Sequence, residues 1–230
     1  MMHRYENREA LAEALAAGVA AVLAGGIATR GGATLAVSGG STPKLFLQTL
    51  AKADIDWASV CVTLVDERWV PESSDRSNTA FLRRHFLQGP AAQARFEPLH
   101  EDAEAPEDVL DEIEARFSRL PRPFDAVILG MGGDGHTASF FPGGDRLVDA
   151  LDPAGRLSVV PMRAGGAGEP RVTLTLPRLA DARFLAIHIE GIEKLRALEA
   201  AEAAGPETEY PVRAVLRAPR EQPLQIFWAP

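Results

Sequence analysis

A histidine and an aspartate stand two residues apart in a glycine-rich segment of this chain, and they are its strongest candidates for chemistry. The segment covers residues 130–139 and directly follows the apolar run Ala126–Leu129. An apolar run bounded by glycine is typical of a buried strand, and glycine lets the backbone turn sharply and approach a ligand. The unperturbed pKa of a histidine side chain lies near neutral pH. We therefore predict that His136 is a general base assisted by Asp134.

Three glycines of the same segment also satisfy the G-x-G-x-x-G spacing of dinucleotide-binding sites. They are Gly130, Gly132 and Gly135. That motif requires a helix that begins at its last glycine, whereas Phe140–Gly144 contains a proline and two glycines that end any helix within about one turn. The acids that follow lie in the polar stretch Asp149–Pro153, which we expect to form a turn. The sequence therefore predicts no dinucleotide cofactor.

A second glycine-rich turn has the features of a phosphate-binding loop. It follows a short apolar strand, Thr34–Val37, and precedes Pro43, which suits the first turn of a helix that we expect to reach Ala53. Glycines let successive amide N–H groups point at an anion, and hydroxyl groups and a helix start add to the attraction. The candidate phosphate ligands are Gly39, Gly40, Ser41 and Thr42. The alternative is that Ser41 or Thr42 only caps the following helix.

Three cationic side chains lie near predicted strands and extend the candidate site. Arg68 follows the strand Val60–Val65, and its planar fork can hold a carboxylate, a phosphate or an oxyanion. Arg171 opens an alternating stretch, and Lys194 lies in the first turn of a helix, where a cation is unfavourable without an anionic partner. The alternative for Arg171 and Lys194 is a solvated surface charge, and the alternative for Arg68 is an ion pair with a neighbouring acid.

Two adjacent acids, Asp66 and Glu67, precede Arg68. Neighbouring residues of an extended backbone point in opposite directions, so these two carboxylates cannot share a proton as a catalytic dyad does. We expect one of the two to serve structure.

Strands alternate with helices along the chain, which predicts an α/β fold: a mostly parallel, Rossmann-like sheet with helices on both faces, in a single domain over residues 1–230. Expected helices and loops are a first helix from Arg8 to about Leu23 that ends at Gly25–Gly26, a loop at Asp66–Pro71, a helix from Ser77–Asn78, and a helix over Ala105–Leu120. Further strands are expected near Leu157–Val160, Arg171–Leu176, Phe184–Ile189 and Leu224–Trp228. Ligands of such sheets bind outside the carboxyl ends of the strands. We therefore predict that four polar motifs line one crevice, namely Ser38–Thr42, Asp66–Arg68, the turn of Asp134 and His136, and Gly191–Lys194.

The composition limits the classes of function. The chain has 230 residues, of which 46% are hydrophobic and 24% charged, and its formal net charge is −8. We do not expect an acidic chain to bind nucleic acid or an anionic membrane, although a local group of cations can still bind phosphate. No segment is expected to be long enough to cross a bilayer. We therefore expect a cytoplasmic protein, and a monomer, since nothing suggests an obligate partner.

Other catalytic arrangements have little support in the sequence. The remaining histidines are His3, His85, His100 and His188. None has an acid or a cysteine at metal-ligand spacing, so we predict no metal site, and we expect His188 to be a core residue. Cys61, the only cysteine, is expected to be a small buried hydrophobe. The chain has no G-x-S-x-G motif, and Ser139 lacks the strained setting of a serine nucleophile.

Taken together, these motifs resemble those of the 6-phosphogluconolactonase family, within the superfamily that also contains glucosamine-6-phosphate isomerases. The matching segments are Ser38–Pro43, Asp66–Arg68 with Ser77–Asn78, Gly130–Ser139 and Arg171–Thr175, with Phe140 in place of an expected leucine. The resemblance implies hydrolysis of 6-phospho-D-glucono-1,5-lactone to 6-phospho-D-gluconate in the oxidative pentose phosphate pathway, without a metal or an organic cofactor. It also implies that His136 activates water, that Asp134 supports it, and that the glycine loop and the three cations bind the substrate.

Two other functions remain open at this point. Glucosamine-6-phosphate deaminase is similar to this chain in the glycine loop and the Asp-Gly-His turn, but it has a glutamate for ring opening where Phe141 stands here. A phenyl ring transfers no proton, so this difference favours the lactonase. A non-catalytic sugar-phosphate sensor would keep the same cleft, but it would normally carry a basic DNA-binding module, and the first helix here is too rich in alanine and too poor in basic residues for one.

Overall fold

The computed structural model describes all residues from Met1 to Pro230. Seven strands form the main sheet. In sheet order they are β1 (Met2–Arg4), β10 (Gln225–Ala229), β9 (Phe184–Glu190), β6 (Ala126–Leu129), β2 (Ala33–Val37), β3 (Val60–Leu64) and β5 (Arg95–Glu97), numbered along the chain. Every neighbouring pair is parallel. The predicted α/β fold with a mostly parallel sheet is therefore confirmed.

Helices accompany these strands along the chain. They are α1 (Arg8–Arg30), α2 (Lys44–Leu50), α3 (Asn78–His85), α4 (Leu110–Phe117), α5 (Leu147–Leu151), α6 (Leu176–Ala180), α7 (Ile192–Glu202) and α8 (Val212–Arg217). The central strands β2, β3 and β6 are buried at every position. Such strands must be covered on both faces, because successive side chains point to opposite sides of the sheet. The buried apolar residues form one continuous core that includes α1, the sheet and α8.

Three further strands form a separate antiparallel sheet, which the sequence analysis does not predict. They are β4 (Asp66–Arg68), β8 (Arg171–Leu174) and β7 (Val159–Met162), in the order β4-β8-β7. The expectation of a loop from Asp66 is wrong for its first three residues, because a short charged segment has no strand periodicity and becomes a strand only by pairing with β8. In this pairing Arg68 lies opposite Arg171. The small sheet therefore places two candidate cations side by side.

Helix α1 is longer than expected, because it continues through Gly25 and Gly26 to Arg30. It ends at Gly31, which adopts a left-handed φ of 76° and donates its N–H back to the helix at 2.9 Å. A Cβ at Gly26 would lie 3.0 Å from a carboxylate oxygen of Asp125. The glycine inside the helix therefore permits close packing, and the helix ends only where the left-handed glycine stands.

With 23 residues and a mean hydropathy of 1.9 over its most apolar window, α1 is long and apolar enough to cross a membrane by length and composition. The expectation that no segment reaches that length is therefore wrong. In the structure, Leu11, Leu15, Val19 and Leu23 of this helix lie fully buried in the core. A core helix passes the same test of length and composition, and the packing of α1 accounts for its apolar residues.

Two segments between β5 and β7 differ from expectation. Asp149–Leu151, expected to form a turn, is part of α5. The expected helix over Ala105–Leu120 is divided into a short 3-10 helix at Pro106–Asp108 and α4. These short helices are set by tertiary packing, since segments of five to eight residues carry little helical periodicity of their own.

Other boundaries shift by two or three residues. Helix α2 ends at Leu50 instead of Ala53, and β7 begins at Val159, two residues later than expected. Strand β8 ends at Leu174, two residues before the expected end at Leu176. Leu176 is instead the first residue of α6, which has a proline in its first turn. The short elements β1, β5, α6 and α8 give too few residues for a periodic signal.

The candidate motifs meet at the point where the order of the strands in the main sheet reverses. β2 and β6 are neighbours, but β3 follows β2 on one side while β9 follows β6 on the other. A crevice opens between connections that diverge in this way, and ligands of open α/β sheets bind there. The hydroxyl of Ser38, just after β2, accepts a hydrogen bond from the N–H of Gly130, just after β6, at 2.9 Å. This bond ties the two edges of the crevice together.

Glu67 has the structural role that we expected for one of the two adjacent acids. Its buried carboxylate accepts hydrogen bonds from the backbone N–H groups of Arg68, Asn78 and Thr79, each at 2.7 Å. The hydroxyls of Thr79 and Ser77 donate to it at 2.8 and 3.3 Å. Burial raises the pKa of Glu67 above its usual range, and the hydrogen bonds oppose that increase. Glu67 therefore fixes both Arg68 and the start of α3.

The turn that carries His136 is supported by the segment before α8. The carbonyl of Gly135 accepts the N–H of Val212 at 2.9 Å. Gly135 has a left-handed φ of 77°, and a Cβ there would lie 2.3 Å from the ring of Tyr210. The guanidinium of Arg213 lies 4.8 Å from the centroid of the same ring and packs against it. This position of the turn therefore requires glycine.

We predict that Glu67→Gln destabilises the fold by about 2–4 kcal/mol, because an amide NH2 group would face N–H donors that the carboxylate now accepts. Urea denaturation followed by circular dichroism measures this change in the free energy of unfolding. Glu72→Gln is the matched control, because Glu72 is half exposed and pairs with Arg83 at the surface. We expect the control to lose less than about 0.5 kcal/mol. Equal losses in the two variants would contradict the structural role of Glu67.

We also predict that Gly135→Ala destabilises the fold by about 1–3 kcal/mol, because the methyl group meets Tyr210 and the left-handed φ is unfavourable for alanine. Gly133→Ala is the control from the same turn, since a Cβ at Gly133 meets no atom within 4 Å. Thermal unfolding should begin at a lower temperature only for the Gly135 variant. If both alanine variants unfold at the same temperature, contact with Tyr210 does not constrain the turn.

Candidate active site

The crevice between β2 and β6 contains a cleft with a volume of about 330 Å³. Eight of the nine predicted site residues line it, namely Gly39, Gly40, Ser41, Thr42, Arg68, His136, Arg171 and Lys194. The ninth, Asp134, is hydrogen-bonded to His136. The structure thus brings the four polar motifs together at one edge of the sheet, because parallel strands place their carboxyl ends there.

Asp134 and His136 form a hydrogen-bonded pair. Nδ1 of His136 lies 2.6 Å from Oδ1 of Asp134, and the backbone N–H of His136 donates to the same oxygen at 3.2 Å. An aspartate on Nδ1 fixes that nitrogen as the donor and leaves the lone pair on Nε2, which has no protein partner. The hydrogen bond from His136 holds the pKa of Asp134 below its usual range. The pair can therefore take a proton from a molecule in the cleft and stabilise the resulting imidazolium.

Gly132 makes this pair possible because it has no side chain. A Cβ there would lie 2.3 Å from Nδ1 of His136 and 2.6 Å from Oδ1 of Asp134. The N–H of Gly132 donates to the carbonyl of His136 at 2.9 Å, which closes the turn. No helix begins at Gly135, so the glycine spacing that resembles a dinucleotide site serves a tight turn instead.

Lys194 and the loop after β2 form a second group of polar contacts. Nζ of Lys194 donates to the hydroxyl of Thr42 at 3.0 Å and thereby joins α7 to the loop. Helix α2 has Pro43 at its N-cap position and no side-chain cap, so the alternative role of Ser41 or Thr42 as a helix cap is not observed. Burial lowers the pKa of Lys194 below its usual value. A partly buried ammonium group with a single hydroxyl partner suits an anionic ligand.

Arg68 and Arg171 bring two further cations from the small sheet. Arg171 is almost fully buried, donates to the carbonyl of Ala167 at 2.6 Å and lies 3.8 Å from a carboxylate oxygen of Asp66. Burial lowers the pKa of Arg171, and the charge of Asp66 opposes that decrease. Arg68 donates to the carbonyl of Arg76 at 2.6 Å and has no acidic partner. Both Nε atoms are buried without a protein partner, and the two neighbouring guanidinium groups line the cleft, where their positive charge favours an anion.

The cleft also contains residues that the sequence analysis does not assign to the site, namely Arg76, Asn78 and Phe141. Arg76 pairs with Glu169 at the rim, and only the pairing of β4 with β8 brings these two distant loops together. Asn78 donates to the carbonyl of Asp66 at 2.9 Å, and a Cβ at Gly39 would lie 2.1 Å from its amide oxygen. Asn78 had two signals in the sequence: the predicted helix start at Ser77–Asn78, and the place of that segment in the family resemblance.

A second cavity, of about 370 Å³, lies at the amino ends of β2 and β3. Its four arginines each lie beside a carboxylate: Arg30 and Arg183 beside Asp125, Arg122 beside Asp181, and Arg95 beside Glu97. Cys61 also lines it, and burial raises the pKa of this thiol to about 11. This cavity therefore offers neither a base nor an activated nucleophile.

The remaining titratable groups do not form a metal centre. No group of three or more histidine, cysteine, aspartate or glutamate side chains is placed to hold a metal ion. His188 is buried in β9, with Nε2 at 3.2 Å from the carboxylate of Glu190, and is a core histidine.

The model of the family described as glucosamine-6-phosphate isomerases/6-phosphogluconolactonase matches residues 6–228 of this chain. A 6-phosphogluconolactonase from Rhizobium meliloti (strain 1021) is 54% identical over 229 residues, which cover 100% of this chain and 98% of the relative. A second relative of that name, from Pseudomonas aeruginosa, is 44% identical over 95% of this chain and 90% of its own length. The family resemblance is therefore confirmed.

Solved structures agree with this relationship. The crystal structure of a 6-phosphogluconolactonase from Shewanella baltica OS155 has a TM-score of 0.96 and 37% sequence identity, over 100% of this chain and 97% of that one. A monomeric glucosamine-6-phosphate deaminase has the same fold, with a TM-score of 0.80 at 15% identity over 99% of this chain and 96% of its own. By sequence and by structure, the chain belongs to the glucosamine-6-phosphate isomerase/6-phosphogluconolactonase family.

Proposed function

We propose that this chain hydrolyses 6-phospho-D-glucono-1,5-lactone to 6-phospho-D-gluconate, the lactone hydrolysis of the oxidative pentose phosphate pathway, with His136 as the general base. The observation that carries the proposal is a histidine tied by Nδ1 to an aspartate, in a cleft that also holds the contact between Lys194 and Thr42. Relatives named 6-phosphogluconolactonase over the full length of the chain support the same substrate.

The mechanism follows from the hydrogen bond between Nδ1 of His136 and Asp134, which leaves the lone pair of the imidazole on Nε2. Nε2 of His136 takes a proton from water as the water oxygen attacks C1 of the lactone, and Asp134 stabilises the imidazolium that forms. The carbonyl oxygen becomes an oxyanion. The imidazolium then returns its proton to the ring oxygen as the bond between C1 and that oxygen breaks, which leaves the open-chain acid. Water addition to an ester carbonyl needs a base and charge stabilisation, and both can come from protein side chains.

The cations of the cleft suit the charges of this substrate. A phosphate group carries about −1.5 to −2 charges at neutral pH. Arg68, Arg171 and Lys194 line the cleft, so they can oppose the charge of the phosphate and of the oxyanion that develops at C1, although Asp66 offsets part of the charge of Arg171. The amides and hydroxyls of Gly39, Gly40, Ser41 and Thr42 add neutral donors that can surround phosphate oxygens.

Deaminase activity is the second candidate, because the family includes glucosamine-6-phosphate isomerases and a deaminase shares the fold. The side chain next to His136 on this side of the cleft is the phenyl ring of Phe141, with ring centroids 4.6 Å apart. A phenyl ring cannot act as an acid or a base in ring opening. We therefore favour the lactonase, and we expect no release of ammonia from glucosamine 6-phosphate.

One chain is sufficient for this chemistry. Eight of the nine residues of the proposed site line one cleft, and the ninth, Asp134, is hydrogen-bonded to His136. We infer that the protein acts as a single-domain monomer in the cytoplasm, where a phosphorylated substrate that crosses membranes poorly would be formed and consumed.

We predict that His136→Asn lowers kcat by a factor of about 10²–10⁴ and changes KM little, because asparagine keeps a polar side chain but cannot accept the proton. The measurement is a lactonase assay with freshly formed lactone, corrected for spontaneous hydrolysis. His3→Asn is the control, since His3 lies in β1, hydrogen-bonded to Gln225 and outside the cleft. A rise in KM with unchanged kcat would make His136 a binding residue and contradict the mechanism.

We also predict a pH dependence of product binding that originates at Lys194. Burial lowers the pKa of this ammonium group, so it loses its proton at a lower pH than an exposed lysine, whose usual value is 10.5. The affinity for 6-phosphogluconate, measured by calorimetry, should therefore fall as the pH rises toward that value. In Lys194→Arg the affinity should persist to higher pH, because guanidinium stays charged. The same alkaline midpoint in wild type and variant would contradict a phosphate contact of Lys194.

A further inference from the structure

The ring of Phe141 packs against the imidazole of His136 and lies near the guanidinium of Arg171. The centroids of the Phe141 and His136 rings are 4.6 Å apart, with 33° between their planes. The guanidinium carbon of Arg171 lies 5.4 Å from the centroid of the Phe141 ring. Phe141 is only 4% exposed, so its ring is held by surrounding residues. One aromatic side chain therefore contacts both the base and one of the cations.

The backbone before Phe141 is strained in a way that sets this position. Ala138 has a φ of 48°, and it is the only residue other than glycine with a positive φ. The N–H of Phe140 donates to the carbonyl of Thr137 at 2.9 Å, and the N–H of Phe141 donates to that of Ser139 at 3.1 Å. These turns bring residue 141 back beside His136. A left-handed alanine is unfavourable, and such strain is commonly found where a site depends on an accurate position.

The charges around His136 indicate a role for the ring of Phe141. The cations of the cleft are Arg68, Arg76, Arg171 and Lys194, and the acids beside them and beside the base are Asp66, Glu67, Asp134 and Glu169. When His136 takes a proton it becomes one more cation in this cleft. The face of a phenyl ring attracts a cation.

We propose that Phe141 is a positioning residue for His136: its ring fixes the plane of the imidazole and attracts the imidazolium. The inference rests on the proposed general-base role of His136. It assigns to Phe141 an effect on the chemical step and none on phosphate binding, because the ring has no polar atom to offer to the substrate.

The test compares Phe141→Leu with Phe141→Tyr, which keeps the aromatic face. We expect Phe141→Leu to lower kcat about tenfold with KM and the affinity for 6-phosphogluconate changed less than about threefold, and Phe141→Tyr to stay within about threefold of wild type. Phe140→Leu is the control, since Phe140 is fully buried and has no ring contact with His136. We expect Phe140→Leu to keep the wild-type kcat.

A second measurement does not depend on turnover. The ring protons of His136 lie in the ring current of Phe141, so their NMR resonances, assigned with His136→Asn, should move in Phe141→Leu and remain in Phe140→Leu. An unchanged kcat in a folded Phe141→Leu protein, an equal loss in the tyrosine variant, or a rise in KM alone would overturn the inference. Wild-type protein that does not hydrolyse the lactone would instead overturn the proposed function, and the role of Phe141 with it.

Discussion

The rest of the site depends on one constraint: the connections that leave the neighbouring strands β2 and β6 diverge. The segments that leave these neighbouring strands go to opposite sides of the sheet, so nothing fills the space above their ends. The hydrogen bond between Ser38 and Gly130 fixes the width of that space at its base. The side chains of the cleft lie around this space. Each follows the end of a strand or contacts a group that does.

Close backbone approach is the second requirement, and it explains the glycines of the two loops. Gly39 lies against Asn78, Gly132 against the pair formed by Asp134 and His136, and Gly135 against Tyr210. At each of these positions a side chain would occupy the place of a neighbouring group. The glycines are therefore not only flexible linkers, because their lack of a side chain allows polar groups to meet at hydrogen-bonding distance.

The strands, the glycine loop and the turn of His136 could be predicted because their signals are local: an apolar run, a following glycine and a polar residue. The antiparallel sheet could not, because Asp66–Arg68 has no strand signal apart from its pairing with β8. The pair of Arg76 and Glu169, 93 residues apart, depends on that same pairing. Because Asp66 and Glu67 are adjacent, the sequence predicts that one of these two acids has a structural role. Only the five hydrogen-bond donors around Glu67 show that it is Glu67. Likewise, the close packing at Gly26 inside α1 involves Asp125, which is distant in sequence.

The position of Cys61 has a consequence for the conditions under which this protein can work. It is the only thiol of the chain, it is buried in β3, and its raised pKa keeps it protonated. Oxidants and electrophiles react with exposed thiolates, and this chain presents none. Neither the proposed base nor the cations of the cleft contain sulfur. Changes in the redox state of the surrounding thiol pool should therefore not affect catalysis through Cys61.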